Sequence, residues 1–390
     1  MQTAIQDLLA ALVSRPSISP NDAGCMSLIS DFLRDTPARI RLIRIEDTDN
    51  LFITHGQGAP HICFVGHTDV VPAGNESDWS SPPFTPSIRE GKLYGRGSAD
   101  MKAGVAAMSF AYRELIQSHP QHQGTLSLLL TSDEEAAATH GIQAVLPLLQ
   151  AEGIHIDYAI VGEPTAKDAL GDFARNGRRG SLNLKLQISG KQGHVAYPEN
   201  ICNPIHGLGH IIAEIAAIEW DRGNAHFPPT SCQFSNLIAG TGAENVVPQT
   251  ATALLNWRFN TEQTEAGIKM RVETLVRRIC AEKQLSAAFD WKLSGLPFST
   301  ANQKLLQALS KAVREHCGRD IVFNTAGGTS DARFMAQYGA DTVEFGTLNA
   351  SIHQIDEHVL LADLALMAAV YRDCVRHLWA ASVGGINALD

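Results

Sequence analysis

Five side chains of metal-binding type stand far apart in this sequence, each at the end of an apolar run: His67, Asp100, Glu135, Glu163 and His353. Their settings are Cys63-Phe-Val-Gly-His67-Thr-Asp69, Gly95-Arg-Gly-Ser-Ala-Asp100-Met-Lys102, Thr131-Ser-Asp-Glu134-Glu135, Val161-Gly-Glu163-Pro164 and Ile352-His353. Two imidazoles and three carboxylates suit two divalent cations that share one carboxylate and keep coordination positions for water. A closed structural zinc site is instead usually rich in cysteine. The set points to a hydrolytic two-metal centre.

Each residue also has a plainer reading. His67 and Asp69 lie two apart, so on a continuing strand they share a face. The Asp69 carboxylate is then expected to accept the second ring N–H of His67, although a loop histidine has the same local sequence. Asp100 precedes a helix and is placed either to bridge two cations or to cap that helix. Glu134 and Glu135 are adjacent at a strand end and point different ways, one ligating while the other stays free as a base, or both solvated in an acidic turn. Pro164 holds Glu163 extended. His353 alone is a loop histidine, and with 15 histidines some near carboxylates are expected by chance. The joint pattern, five ligand types at strand ends, favours the metal reading.

The elements that must carry these residues follow from periodicity. Residues 61–66 and 125–131 are apolar strand-like runs, 158–161 is another, and 103–118 and 142–151 have helical spacing. Such alternation predicts an α/β fold with a mostly parallel sheet flanked by helices. His67, Glu135 and Glu163 each follow a strand, and sites in open α/β sheets collect beyond the carboxyl ends of strands. Near residue 180 the pattern changes. Leu182, Leu184, Leu186 and Ile188 alternate. A helix follows with Ile205, Leu208, Ile212, Ile215 and Ile218 on one face. Strands over 232–239 and 250–259, a helix over 264–282 and a strand over 287–293 complete a β-α-β-β-α-β order, that of a ferredoxin-like α+β unit. The expected division is 1–179, an inserted domain 180–293, and 294–390.

With 390 residues, the chain has room for two cores. A net charge of −10 argues against nucleic acid or an anionic membrane as main partner, and requires local Arg or Lys for any anionic substrate. Seven cysteines without a CxxC pair read as free thiols in a reducing compartment. Neither a signal-like N-terminus nor an apolar run of membrane length is evident, so a cytoplasmic protein is expected.

Further runs carry a resemblance: Val65-Gly-His-Thr-Asp-Val-Val-Pro72, Leu93-Tyr-Gly-Arg-Gly97, Ala99-Asp-Met-Lys102, Leu130-Thr-Ser-Asp-Glu-Glu-Ala136, Ile160-Val-Gly-Glu-Pro164, Asn176-Gly-Arg-Arg-Gly-Ser-Leu182, Gln192-Gly-His-Val-Ala-Tyr-Pro198 and Gly327-Gly-Thr-Ser-Asp331. Over almost its whole length the chain resembles the co-catalytic zinc amidohydrolases, the family of carboxypeptidase G, aminoacylase and acetylornithine deacetylase. The last three runs resemble those of the branch that cleaves N-succinyl-LL-2,6-diaminopimelate to LL-2,6-diaminopimelate and succinate on the way to lysine, and the resemblance implies that reaction here. The resemblance implies a zinc-peptidase-like fold and two divalent ions, zinc before cobalt or manganese. It implies that Asp100 bridges them, His67 and Glu163 completing one site and Glu135 and His353 the other. Glu134 would be the general base and Asp69 the residue orienting His67. The ferredoxin-like domain would form a homodimer, and its His194 would reach the partner's metals. Ala103 and Ala332 stand where this branch usually has Gly.

The implied substrate carries three carboxylates, for which Arg178, Arg179 and Arg258 offer two-pronged donors; a solvated basic turn is the plain reading of Arg178 and Arg179. Ser181, Tyr197, Asn245, Gly328, Thr329 and Ser330 are further substrate contacts implied by the resemblance. The alternatives are a related two-zinc acylase, deacetylase or dipeptidase, and a non-catalytic metal-binding scaffold.

Overall fold

Every position of the strand His61–His67 is buried, as are all but one of Gly124–Thr131, which is how strands covered on both faces read. The two pair in parallel. Tyr158–Val161 and then Asp341–Glu344 extend the parallel set on the other side of His61–His67. In this computed structural model, which describes residues 2–383, the full sheet has eight strands. Their order is Arg39–Ile45, Thr48–Gln57, Gly124–Thr131, His61–His67, Tyr158–Val161, Asp341–Glu344, Phe173–Arg175 and Val322–Asn324. The first two run antiparallel to their neighbours, so the sheet is mixed with a parallel centre.

Helices Gln2–Val13, Ala103–Ser118, Gln303–Cys317 and Leu361–Val383 pack with the sheet into one apolar core. The close approach of neighbouring segments requires glycine at two positions, one on helix Ala103–Ser118 and one in the loop after Asp341–Glu344. A Cβ on Gly104 would lie 2.3 Å from the Gly162 carbonyl, and one on Gly346 would lie 2.5 Å from that of Glu163. Both glycines press on the chain where Glu163 leaves its strand.

The chain divides into two compact units. One runs to Gly177 and takes in Thr300–Asn324 and the chain from Ser330; the other is Arg178–Ser299 with Thr325–Thr329. The loop 325–329 belongs with the second unit because Arg178 Nη1 donates to the Gly328 carbonyl at 2.9 Å and Thr325 Oγ1 to that of His226 at 2.7 Å.

The second unit is an antiparallel sheet in the order Ser231–Ala239, Thr250–Phe259, Gly180–Ser189, Ser286–Gly295. Leu182, Leu184, Leu186 and Ile188 share its buried face with Ala251, Ala253, Leu255, Trp257 and Phe259. Helices Pro204–Ala216 and Glu265–Glu282 cover that face, the ferredoxin-like arrangement. The first of these helices corrects the expected stripe. It ends at Ala216, so Ile218 lies beyond it, and its buried apolar positions are Leu208, Ile211 and Ile215, while Ile205 is exposed. No helix among the described residues is long and apolar enough to cross a membrane. All seven cysteines are free.

Candidate metal centre

The carboxyl ends of the parallel strands carry His67, Glu134, Glu135 and Glu163 in the first unit, and turns bring Asp100 and His353 to them. His67 is the last residue of its strand and 1% exposed. Glu134 and Glu135 leave Gly124–Thr131 in a turn folded by Asp133, whose carboxylate accepts the N–H groups of Ala138, Thr139 and His140. Glu163 follows Tyr158–Val161 and is buried. Asp100, also buried, lies in the tight turn before helix Ala103–Ser118, and the Asp100–Met101 peptide is cis. Asp100 does not cap that helix.

The Asp100 carboxylate is divided between the two imidazoles. Its Oδ1 lies 3.3 Å from His67 Nε2 and its Oδ2 lies 3.3 Å from His353 Nε2. Each imidazole has a second carboxylate: Glu163 Oε1 at 3.8 Å from His67 Nε2, and Glu135 Oε1 at 2.9 Å from His353 Nε2. His67 Nε2 and Asp100 Oδ1 are buried without a hydrogen-bond partner among the described residues. Two donors each about 2.0–2.2 Å from a tetrahedral zinc stand about 3.3–3.5 Å apart, so the observed spacings fit a cation between each imidazole and Asp100.

The charge balance agrees. Burial opposes charge on His67, but neighbouring Asp100, Asp69, Glu134 and Glu163 outweigh it and hold the imidazole well above its ordinary range. His353, bonded to Asp100 and Glu135, is raised to about 10. Burial would raise Asp100, yet the two imidazoles hold it low. Glu134 is pushed well up, by burial first and then by Glu163. Asp331, buried with neither carboxylate oxygen bonded among the described residues, is pushed to about 7 by burial. This crowd of carboxylates is only partly neutralised by protons, and divalent cations would relieve it.

Asp69 is placed differently from the expectation. The His67 Nδ1 meets the Asp69 backbone carbonyl at 2.9 Å, while the carboxylate Oδ1 stands off at 3.6 Å. The carboxylate instead accepts the N–H groups of Glu134 and Glu135 and the hydroxyl of Ser19. It therefore ties the histidine strand end to the acidic turn. Ser19 belongs to a segment that sequence reading passed over: Ser17 Oγ donates to the Thr68 carbonyl, Thr68 Oγ1 to Asp22, and Ser132 Oγ to the Pro20 carbonyl. Nothing in Ser17-Ile-Ser-Pro20 announces a role at a site formed 50 residues later.

The remaining candidates fall into groups. In the second unit His194, Tyr197 and Asn245 come together: Asn245 Nδ2 is 3.4 Å from His194 Nε2, and the His194 and Tyr197 rings are 5.8 Å apart. His194 and Tyr197 are both exposed. Ser181 and Arg258 are register partners on neighbouring strands. Arg178 is buried and holds the loop through Gly328, next to Thr329. Arg179 is partly buried, with a buried Nε that lacks a partner among the described residues. Ser330, in the first unit, donates to Glu344.

A sequence model described as peptidase family M20/M25/M40 matches residues 63–377. The chain belongs to that family. It is 49% identical over 372 residues to the succinyl-diaminopimelate desuccinylase of Thioalkalivibrio sulfidiphilus, covering 95% of this chain and 98% of that one. The enzyme of the same name from Methylococcus capsulatus is 48% identical, covering 96% and 98%. Among solved structures, the aminopeptidase PepT of Bacillus cereus shares the fold with a TM-score of 0.79 at 20% identity, over 97% of this chain and 99% of that one. The YXEP protein of Bacillus subtilis, described as a dinuclear metal-binding peptidase of the M20 family, gives 0.74 at 17% identity over 98% of each chain.

Proposed function

We propose that this chain is a metal-dependent amidase that hydrolyses N-succinyl-LL-2,6-diaminopimelate to LL-2,6-diaminopimelate and succinate. The observation that carries the reaction class is the Asp100 carboxylate shared between His67 and His353 at equal 3.3 Å spacings. The substrate class is supported by relatives near half identity over nearly the full chain. His67 and Glu163 would hold one cation, His353 and Glu135 the other, and Asp100 both, with zinc favoured and cobalt or manganese compatible with so many carboxylates. When bound, such cations supply acidified water and polarise the amide carbonyl. Glu134 takes the proton of the attacking water and returns it to the leaving amine. Asp69 fixes the Glu134 backbone N–H and so aims that carboxylate. Arg178, Arg179 and Arg258, with Ser181, Tyr197, Asn245, Gly328, Thr329 and Ser330, would bind the substrate's carboxylates and amide.

In this reading the chain works as a homodimer through the inserted unit. Its strand Ser231–Ala239 is a sheet edge carrying exposed Leu237 and Ile238, a liability that pairing with a second copy removes. His194 would then act at its partner's centre. Mixed dimers of His194→Ala and Glu134→Ala subunits test this, since each heterodimer should regain one intact site.

The main experiment is hydrolysis of synthetic N-succinyl- and N-acetyl-diaminopimelate, with metal content measured on the same sample. Two cations per chain and a strong preference for the succinyl amide are expected. Equal rates on both amides would move the assignment to another acylase of the family.

A further inference from the structure

Four residues beyond His353 lies a carboxylate with no part in the ligand set. Glu357 is completely buried. Its Oε2 accepts from Arg96 Nη1 and from the Gly97 N–H, both at 2.8 Å. Its Oε1 accepts from the N–H groups of Ala99 and Asp100, both at 2.9 Å. The Glu357 carbonyl also takes the Gly95 N–H at 2.9 Å. Four donors fill the acceptor capacity of one ionised carboxylate. They come from one tight turn, in which Gly97 has φ +80° and a Cβ would meet Val70 at 2.4 Å. That turn ends on Asp100, the residue shared between the imidazoles.

We propose that Glu357 is a positioning residue for Asp100. By holding the Asp100 amide and the turn before it, Glu357 sets the backbone from which the shared carboxylate projects. Because it stands on the same loop as His353, it also ties the two cation sites together, so both depend on it. The proposal rests on the two-cation reading above. The simpler role, a counter-charge for buried Arg96, requires only the ion pair and none of the amide bonds.

Glu357→Gln separates the two roles. It preserves shape but turns an N–H donor toward groups that in the wild type donate to a carboxylate oxygen. Metal-free wild type and variant are titrated with Zn2+ in a calorimeter, and with Co2+ followed by its visible absorption, and thermal unfolding is measured alongside. Loss of a group that orients a ligand typically costs 10- to 100-fold in metal affinity. The expected result is a weakening of about that size at both sites, with a changed cobalt spectrum and a cooperatively folded protein. Unchanged affinity at both sites with a lower Tm would overturn the proposal in favour of the counter-charge role. Loss of the weaker cation alone would overturn it too, by confining Glu357 to the His353 loop. Should Glu357→Gln fail to fold, Glu357→Asp carries the same test, because it keeps the charge opposite Arg96 but withdraws the carboxylate from the amides by one methylene. Wild type that binds fewer than two cations would sink the two-cation reading itself; wild type that binds two beside a variant of equal affinity sinks only the Glu357 proposal.

Discussion

The two imidazoles of the candidate centre sit in opposite surroundings. His67 ends a fully buried strand, and its ring is held from behind by the Asp69 carbonyl at 2.9 Å. His353 stands on a turn at φ +58°, with its side chain 48% exposed. The Asp100 carboxylate meets both at the same distance, so the chemistry is symmetric and the support is not. A buried ligand held in place loses little freedom when a cation binds, whereas an exposed one must be ordered and desolvated. The two sites should therefore differ in affinity, the His67 side filling first.

Removing what the two sides share should have the largest effect. Asp100→Ala is expected to lose both cations, and its activity should fall by more than the roughly 10²- to 10⁴-fold that one acid–base group contributes. Metal analysis that still finds two cations would break the picture of a shared ligand. Glu134→Gln should lose about 10²- to 10⁴-fold in kcat while keeping both cations. Its carboxylate also lies within ligand range of His67 and Glu163, so loss of a cation in this variant would make Glu134 a ligand instead.

Histidine replacement tests the asymmetry directly. After gel filtration, His353→Ala should retain one tightly held cation and His67→Ala less than one. Equal retention would show that burial does not set the order of filling. A pH series sharpens the same contrast in metal-free protein. His353 is raised to about 10 by Asp100 and Glu135. Its charged contacts thus stabilise the fold fully below the ordinary imidazole value of ~6.5, and that stabilisation is lost as pH rises through about 10. The urea midpoint of wild type should fall toward that of His353→Ala between pH 7 and 10.5, and a constant gap would contradict the assignment. The smallest effects lie in the supports. Ser19→Ala removes a hydrogen bond to the Asp69 carboxylate and should cost about 1.5 kcal/mol, whereas Gln354→Ala, beside His353, removes an exposed bond to the Ala350 carbonyl and should stay within about 0.5 kcal/mol; similar urea midpoints for both would erase the distinction.

Much of the architecture is legible because it is local. An unbroken apolar run marks His61–His67 as a central strand, and strict alternation over 182–188 marks a sheet with one covered face. His67, Glu135 and Glu163 are legible for a related reason, since chemistry at strand ends interrupts apolar runs, whereas Asp100 and His353 stand on turns without that mark. The antiparallel strands Arg39–Ile45 and Thr48–Gln57 are less visible, because partly polar sequence at the margin of a sheet resembles loop. Ile218 keeps the helical spacing yet lies outside the helix, because that spacing persists past Ala216, where the helix stops.

The sequence alone determined which residues have ligand chemistry, the central strands and the helices beside them, and the family in which both recur. Only the tertiary structure decided who meets whom. His353 reaches Glu135 across 218 residues, Glu357 reaches Asp100 across 257, and Ser19 reaches Asp69 across 50. Such pairings depend on strand order and on where each loop returns, which no local periodicity encodes. The Asp69 carbonyl facing His67, with the carboxylate turned to the acidic turn, depends on a backbone course that a two-residue spacing leaves open. Glu357 was the least visible of all, because a carboxylate bonded by main-chain N–H groups requires nothing distinctive of the residues that supply them.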